Sequence, residues 1–173
     1  GALAMEWHPD DTGLAGQQQN YVALASKVQD STQSLSDAGL EFEVAGLFWD
    51  GGADARNPEE AITYERNLRQ LIASVREDFA NDPNMPFVIG RSHIGISVRP
   101  NRPHWEIVRA AQVAVAEEDP FGAWADGDDL PTKAFDDPHY NATGQLGIGR
   151  RMANAYQRIA DADPLLFCNS DSM

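Results

Sequence analysis

The feature that most constrains the fold of this chain is a regular alternation of amphipathic helical segments with short apolar runs. In four segments the apolar residues recur every three or four positions, as on one face of a helix. These segments are 17–38, 58–79, 105–117 and the stretch that starts near 143. The apolar runs between them are 42–49, 87–90 and 121–125. Helices that alternate with buried strands are typical of a parallel sheet with right-handed crossovers, so the sequence predicts an α/β fold.

Two helix boundaries are marked by residues that favour them. Gly39 follows the first helical segment, at the place where a left-handed C-cap is common. Asn57 precedes the second segment as an N-cap, and Pro58 follows it in the first turn, which tolerates proline. We therefore expect the first helix to end near Gly39 and the second to begin near Asn57.

The number of visible strands is small for a parallel sheet that is covered on both faces. We predict one domain over residues 1–173, a three-layer α/β/α sandwich with a parallel sheet that lacks its first strand or strands. The tail, 161–173, has no clear period, and we expect part of it to be disordered. We also expect the apolar run 42–49 to lie at the sheet edge beside the missing strand. Such an edge would promote self-association.

Composition and charge narrow the classes of partner. Of the 173 residues, 42% are hydrophobic, which is enough for one core. The formal net charge of −14 would repel phosphate, so we expect no nucleic-acid partner. The sequence has no run of about 18 apolar residues, so we expect no membrane span. The single cysteine, Cys168, excludes an intrachain disulfide and leaves the compartment open.

Histidines and carboxylates raise the question of a metal site. His8, His93 and His104 are neither spaced as i and i+4 on a helix nor gathered in a tight cluster. The acidic stretch 126–129 lacks the regular ligand spacing of a calcium loop, and we expect it to form a solvated loop. We predict neither a metal nor another cofactor.

Polar residues that follow the strands are the candidates for a site, because ligands of open α/β sheets bind at the carboxyl ends of the strands. Three stretches qualify, 50–54, 91–93 and 126–139. In the last, Asp136 precedes His139 by three residues on a loop before a helix. Such a carboxylate can accept the Nδ1 proton of the imidazole and leave Nε2 to act as a general base. The alternative is a solvated histidine beside a helix-entry carboxylate.

Six blocks of the sequence match a known pattern in their order. They are 3–9 with Trp7, 46–55, 64–76, 86–90, 108–112 and 136–155. The most specific part, residues 139–151, reads HYNATGQLGIGRR. This order resembles the sialate O-acetylesterase-like and family-six carbohydrate esterase branch of the SGNH hydrolases, and the resemblance covers nearly the whole chain.

The resemblance implies hydrolysis of acetyl esters on a carbohydrate by a serine, a histidine and an aspartate. In this chain His139 would act as base and then as acid, and Asp136 would orient it. Backbone amides at Gly51 and Gly52 would polarise the ester carbonyl. The resemblance also favours a secreted or periplasmic location.

Three residues are candidates for the wall of the pocket. Trp7 and Trp105 could each stack on the flat face of a sugar, or could pack a loop onto the core. Arg91, just past a strand, is expected to line the pocket and bind substrate. Arg109 and Gln112 also match the family, and we interpret them as helix residues that hydrogen-bond a loop.

Two departures from the family pattern limit what the resemblance implies. The family's serine lies in a Gly-Gln-Ser-Asn block upstream of the Trp7 segment, and this chain begins after it; residues 16–20 look similar but hold no serine. Gly51 stands where the family has a glutamine that would help hold the oxyanion, and losing one such donor costs about 3 kcal/mol. The alternative function is a non-catalytic module that binds glycan or serves only packing. A flavodoxin-like domain is disfavoured because no Gly-rich phosphate loop follows a strand.

Overall fold

The computed structural model describes residues 2–9, 18–96, 101–133 and 139–162. Asp136 and the tail beyond residue 162 lie outside these ranges. The helices and strands follow the predicted alternation. They are α1 (Gln19–Asp37), β1 (Leu47–Trp49), α2 (Pro58–Val75), β2 (Phe87–Gly90), α3 (Trp105–Glu118), β3 (Gly122–Ala125) and α4 (Ala142–Ala162). Short 3-10 helices at Ala53–Arg56 and Ile94–Ile96 and a π-helical turn at Arg76–Ala80 lie in the connections.

The three strands form one parallel sheet in the order β1-β2-β3. Leu47 pairs with Phe87, and Phe87 pairs with Gly122, so the carboxyl ends of all three strands lie at the same edge. Parallel neighbours need crossover connections, which α2 and α3 supply. The predicted α/β class is confirmed.

Helices cover the sheet on both faces. The helices α2 and α3 pack against each other and against the face that carries Trp49 and Ile89. On the opposite face α4 packs over Val88 with Met152 and Ala155. Successive side chains of a strand point to opposite faces, which is why Val88 and Ile89 belong to different clusters. This arrangement is the predicted three-layer sandwich.

The predicted helix boundaries are confirmed by their hydrogen bonds. The Asn57 side chain accepts from the backbone N–H of Glu59 at 2.9 Å, directly before the proline that opens α2. At the end of α1, Gly39 has φ +69°, and the Leu40 N–H donates to the Leu35 carbonyl at 3.0 Å. The positive φ is the left-handed conformation that glycine adopts without steric cost.

The expectation of a long buried strand over 42–49 is wrong. Only Leu47–Trp49 forms β1, and Phe42 and Phe48 are 46% and 51% exposed. The reason is the position of β1 at the edge of the sheet, where, among the described residues, it has a strand neighbour on one side only. In addition, α4 packs mainly over β2 and β3. Among the described residues, Tyr156 is the one aromatic residue whose ring contacts Phe48.

Two helices bury less of their apolar stripe than the sequence predicts. Ile107 on α3 is 42% exposed, because the buried stripe of this helix runs through Val108, Ala111 and Val115 instead. In α1 only Tyr21 is buried, and its ring stacks on Phe79. This helix therefore packs mainly through its N-terminal half, where Leu24 is partly buried against the same core, and Leu35 is exposed.

No helix in the described part of the chain is both long enough and apolar enough to cross a bilayer.

Candidate active site

A cavity of about 470 Å³ lies at the carboxyl end of the sheet. Its floor is formed by Asp50, Gly51 and Gly52, which follow β1, and by the residues that follow β2. His139 enters the cavity from the loop before α4. The predicted stretch 50–54 and His139 therefore contribute to the same cavity.

The turn after β1 packs tightly against neighbouring side chains. A Cβ atom on Gly52 would lie 2.6 Å from the Ser92 hydroxyl and 3.2 Å from the ring of Trp105. A Cβ atom on Gly51 would lie 2.9 Å from the ring of Trp49. The two glycines thus allow the backbone to approach the side chains that surround the cavity.

A buried hydrogen-bond network supports this turn from below. The Gly51 carbonyl accepts from the Tyr64 hydroxyl at 2.6 Å and from the Gln112 amide nitrogen at 2.7 Å. The Gln112 amide oxygen accepts from the Ser92 N–H at 2.9 Å, so this side chain joins the ends of β1 and β2. Burial raises the pKa of Tyr64, which keeps its hydroxyl protonated and able to donate.

Asp50 and His139 interact electrostatically across the cavity. Desolvation raises the pKa of the Asp50 carboxyl, and the charge of a protonated His139 lowers it. Desolvation is the larger effect, so the pKa of Asp50 lies above its ordinary value. The predicted hydrogen bond between Asp136 and His139 falls outside the described residues.

His93 and Tyr140 form an aromatic pair in the same cavity as His139. Their ring centroids are 5.6 Å apart with the planes nearly perpendicular. The Gly95 N–H donates to His93 Nδ1 at 2.9 Å, which places the proton of the neutral ring on Nε2. Burial, together with the negative charges of Asp50 and Asp128, raises the pKa of Tyr140 to about 12. Tyr140 is therefore a neutral phenol at any physiological pH.

The two predicted tryptophans occupy different depths. Trp7 is partly exposed at the cavity and meets Trp49 edge to face, with ring centroids 5.2 Å apart. The N-terminal segment that carries Trp7 is held by Asp54, whose carboxylate accepts from the backbone of Leu3. Trp105 is 3% exposed and belongs to the core. Trp7 is thus the tryptophan that remains available to a ligand.

A family model described as carbohydrate esterase, sialic acid-specific acetylesterase, matches residues 1–158. The chain belongs to this family. The predicted resemblance is confirmed, and the family is one of esterases, which are hydrolases.

Comparison with known proteins adds evidence on the fold. The curated proteins contain no significant match to the chain. Among solved structures, a protein from Arabidopsis thaliana superposes with a TM-score of 0.68 at 22% sequence identity. The match covers 91% of this chain and 57% of that chain, so the acetylesterase-family segment described here spans little more than half the length of its structural neighbour.

Arg91, the other predicted substrate-binding residue of this acetylesterase-family chain, does not line the cavity with His139. Its guanidinium forms ion pairs with Asp126 at 2.8 Å and Asp128 at 2.9 Å and lies over the ring of Trp124. Asp128 also pairs with Arg109 at 2.7 Å. The arginine is therefore engaged in holding the loop after β3.

The loop at 126–129 leaves Asp126 and Asp129 exposed, as predicted, but ion pairs also hold it in place. Its carboxylates are ion-paired with arginines on α3, on α4 and after β2; these residues are Arg91, Arg109 and Arg151. The sequence could not show this, because the pairs join positions 19 to 37 residues apart. Among the described residues, no group of three His, Cys, Asp or Glu side chains could hold a metal ion.

Sequence reasoning missed several residues of the cavity. Asp50, Ser92 and Tyr140 all line it, and none was singled out for a role. Asp50 and Ser92 could have been identified from the sequence, because both lie shortly after a predicted strand. Tyr64 could not be found this way, because its role depends on a hydrogen bond from the middle of α2 to a turn thirteen residues earlier.

Proposed function

We propose that this chain carries the base and the oxyanion site of a carbohydrate acetylesterase. The observation that supports the proposal most directly is that His139 and the Gly51-Gly52 turn share one cavity in a member of an esterase family. A general base and a group of backbone amides on the same cavity are what ester hydrolysis by a serine requires.

The reaction would proceed in two steps through an acetyl-enzyme. A serine hydroxyl, which we propose is supplied by a segment outside this chain, attacks the acetyl carbonyl while His139 Nε2 accepts its proton. The developing oxyanion is held by backbone N–H groups of the Gly51-Gly52 turn. His139 then protonates the departing sugar oxygen, and a water, activated by the same imidazole, releases acetate. Asp136 is proposed to orient His139 throughout, and no cofactor takes part.

The substrate class follows from the wall of the cavity. Trp7 offers a partly exposed indole beside the floor, and an indole face or edge suits the apolar face of a sugar ring. We propose that Trp7 binds the sugar while the acetyl group reaches the glycine turn. The large cavity is open enough for a sugar ring as well as the ester.

The competing function is a glycan-binding module without catalysis. It is favoured by the replacement of the family glutamine by Gly51 and by the lack of a serine in residues 16–20. Under this alternative Trp7 and the cavity would bind sugar, and His139 would contribute a hydrogen bond but no proton transfer.

Acetate release from O-acetylated sugars distinguishes the two functions. The assay uses a version of the chain extended by whatever residues its gene encodes upstream of Gly1. Under the esterase proposal His139→Ala lowers turnover by a factor of about 10⁴ or more. His104→Ala serves as the matched control, because that side chain makes no capping bond at the start of α3 and does not line the cavity. Sugar binding without acetate release by the extended chain would establish the glycan-binding function instead.

A further inference from the structure

The orientation of one peptide unit in the cavity floor is fixed by two side chains of the core. The Gly51 carbonyl points at the Tyr64 hydroxyl and the Gln112 amide nitrogen, which lie 2.6 Å and 2.7 Å from it. Tyr64 is fully buried on α2, and Gln112 is fully buried on α3. Two donors on one carbonyl, one from each helix, leave this oxygen no freedom to turn toward the cavity.

The same constraint decides where the next N–H points. In a planar trans peptide the carbonyl of one residue and the N–H of the next point in opposite directions. Because the Gly51 oxygen is directed into the core, the Gly52 N–H is directed away from it. Among the hydrogen bonds of the described residues, the Gly52 N–H donates to no protein acceptor. Gly52 itself lines the cavity.

We infer that Tyr64 and Gln112 are positioning residues that turn the Gly52 N–H toward the cavity, where it donates to the oxyanion. The inference rests on the proposed function for the identity of the ligand, and it selects Gly52 over Gly51 as the donor. It also explains how an oxyanion could be held without the family glutamine at position 51. Tyr64 and Gln112 orient the Gly52 N–H from the core side of the turn, so a backbone donor takes the place of the glutamine side chain.

The two donors to the Gly51 carbonyl supply separate hydrogen atoms, and each donor group is itself held in place by a further hydrogen bond. The Tyr64 hydroxyl donates its proton to the Gly51 carbonyl, and it accepts from Trp49 Nε1 at 3.2 Å. Gln112 holds its amide in one orientation because its oxygen is engaged by the Ser92 N–H. The nitrogen is thereby directed at the Gly51 carbonyl. Loss of either donor would free the peptide to rotate.

The test follows the Gly52 amide by ¹⁵N–¹H NMR of the 173-residue chain during titration with acetate. A carboxylate oxygen of acetate is the probe that stands for the oxyanion. We expect a saturable shift of the Gly52 amide signal in the wild type. Tyr64→Phe and Gln112→Met, which keep the volume of each side chain, should each weaken the acetate response at Gly52 about fivefold. Tyr156→Phe is the matched control, since it removes a tyrosine-to-carbonyl hydrogen bond of 2.7 Å outside the cavity.

Each outcome of the titration decides the inference. Acetate that shifts other cavity amides and not that of Gly52, or that shifts none, overturns the assignment of the donor. An equal response at Gly52 in the wild type, Tyr64→Phe and Gln112→Met overturns the positioning role. The two variants are titrated separately, so one that fails to fold leaves the other to decide. The readout needs neither a serine nor turnover, so an inactive extended enzyme with an intact Gly52 response would reject the proposed function and leave this inference standing.

Discussion

The Asp54 carboxylate accepts a hydrogen bond from the backbone N–H of Leu3 at 3.0 Å, 51 positions earlier in the sequence. Its second oxygen accepts from the Ala4 N–H at 3.1 Å. Asp54 is 1% exposed, so these bonds form where water does not compete. They fasten the N-terminal segment, and with it Trp7, to the turn that follows β1.

Replacement of Asp54 should therefore release the N-terminal segment. Asp54→Ala leaves the buried N–H of Leu3 and the partly buried N–H of Ala4 without an acceptor, and we expect a loss of about 2–4 kcal/mol in the free energy of unfolding. Denaturant unfolding followed by tryptophan fluorescence measures it. Asp30→Asn, on the exposed surface of α1, is the control and should change stability little. Equal stability of the wild type and Asp54→Ala would show that the two hydrogen bonds contribute nothing.

The 173-residue chain by itself should hydrolyse acetyl esters negligibly. Residues 16–20, which look similar to the family's nucleophile block, hold no serine that His139 could activate. The measurement is acetate release by this chain beside the extended version. Robust turnover by the short chain that His139→Ala abolishes would mean that a residue within it is the nucleophile. Ser92 would then be the first residue to replace, because it lines the cavity.

Substitution by alanine should change the stability of the protein in opposite directions at two glycines. At Gly52 the added methyl group would meet Ser92 and Trp105, so we expect Gly52→Ala to cost about 1–3 kcal/mol of stability. At Gly149, in the middle of α4, an added Cβ meets nothing within 4 Å. Gly149→Ala should stabilise the protein by up to about 1 kcal/mol, since alanine favours a helix interior. Thermal or chemical unfolding of the pair checks the contrast, and a stabilising Gly52→Ala would contradict the tight packing.

The ion pairs of Asp128 should make stability depend on pH. Partial burial alone would raise the pKa of Asp128, but hydrogen bonds from Arg109 and the Ile94 N–H, with the charge of Arg91, lower it overall. The folded pKa lies below the unfolded value, so the stabilisation is present above about pH 3.9 and is lost as the pH falls toward the folded pKa.

Asp128→Asn tests this linkage. We expect it to lower the free energy of unfolding by roughly 2 kcal/mol at pH 7, because it leaves the arginine charges without their carboxylate. The difference between wild type and variant should shrink as the pH falls below about 4. Urea unfolding at both pH values measures it, and a difference that stays constant with pH would rule out the ionised pair as its source.

The edge of the sheet should promote self-association, as predicted from the sequence. Phe48 is half exposed on β1, which pairs with one strand in the part of the chain that the structure describes. The net charge of −14 opposes association, so raising the salt concentration should increase it by screening. Sedimentation at low and moderate salt is the measurement, with Phe48→Ser expected to reduce association. A salt-insensitive monomer would contradict the prediction.

Local signals predicted much of this fold. The strand Phe87–Gly90 has its predicted bounds because a proline and a run of apolar residues define it without help from distant parts of the chain. The N-cap at Asn57 likewise depends on its immediate neighbours. In contrast, the length of β1 depends on which strand and helix lie beside it. A pattern of apolar residues does not carry that information.

The site was predictable only where it follows the strands. His139 and the glycine turn were predicted as site residues through resemblance and position, and the structure brings them to one cavity. Arg91 follows a strand equally closely, yet its side chain is directed to carboxylates that come later in the chain. Side-chain direction depends on such distant partners, and a position in the sequence does not determine it.

The Gln112 side chain bridges the ends of two strands, and this sets how the cavity can adapt to different ligands. Its oxygen holds the Ser92 N–H and its nitrogen holds the Gly51 carbonyl, so the gap between these two loops equals the width of one planar amide. A rigid group of fixed width does not stretch for a larger substrate. Under the proposed function, discrimination among sugars would therefore come from the walls, where Trp7 and His139 lie, while the floor would present every ester with the same geometry.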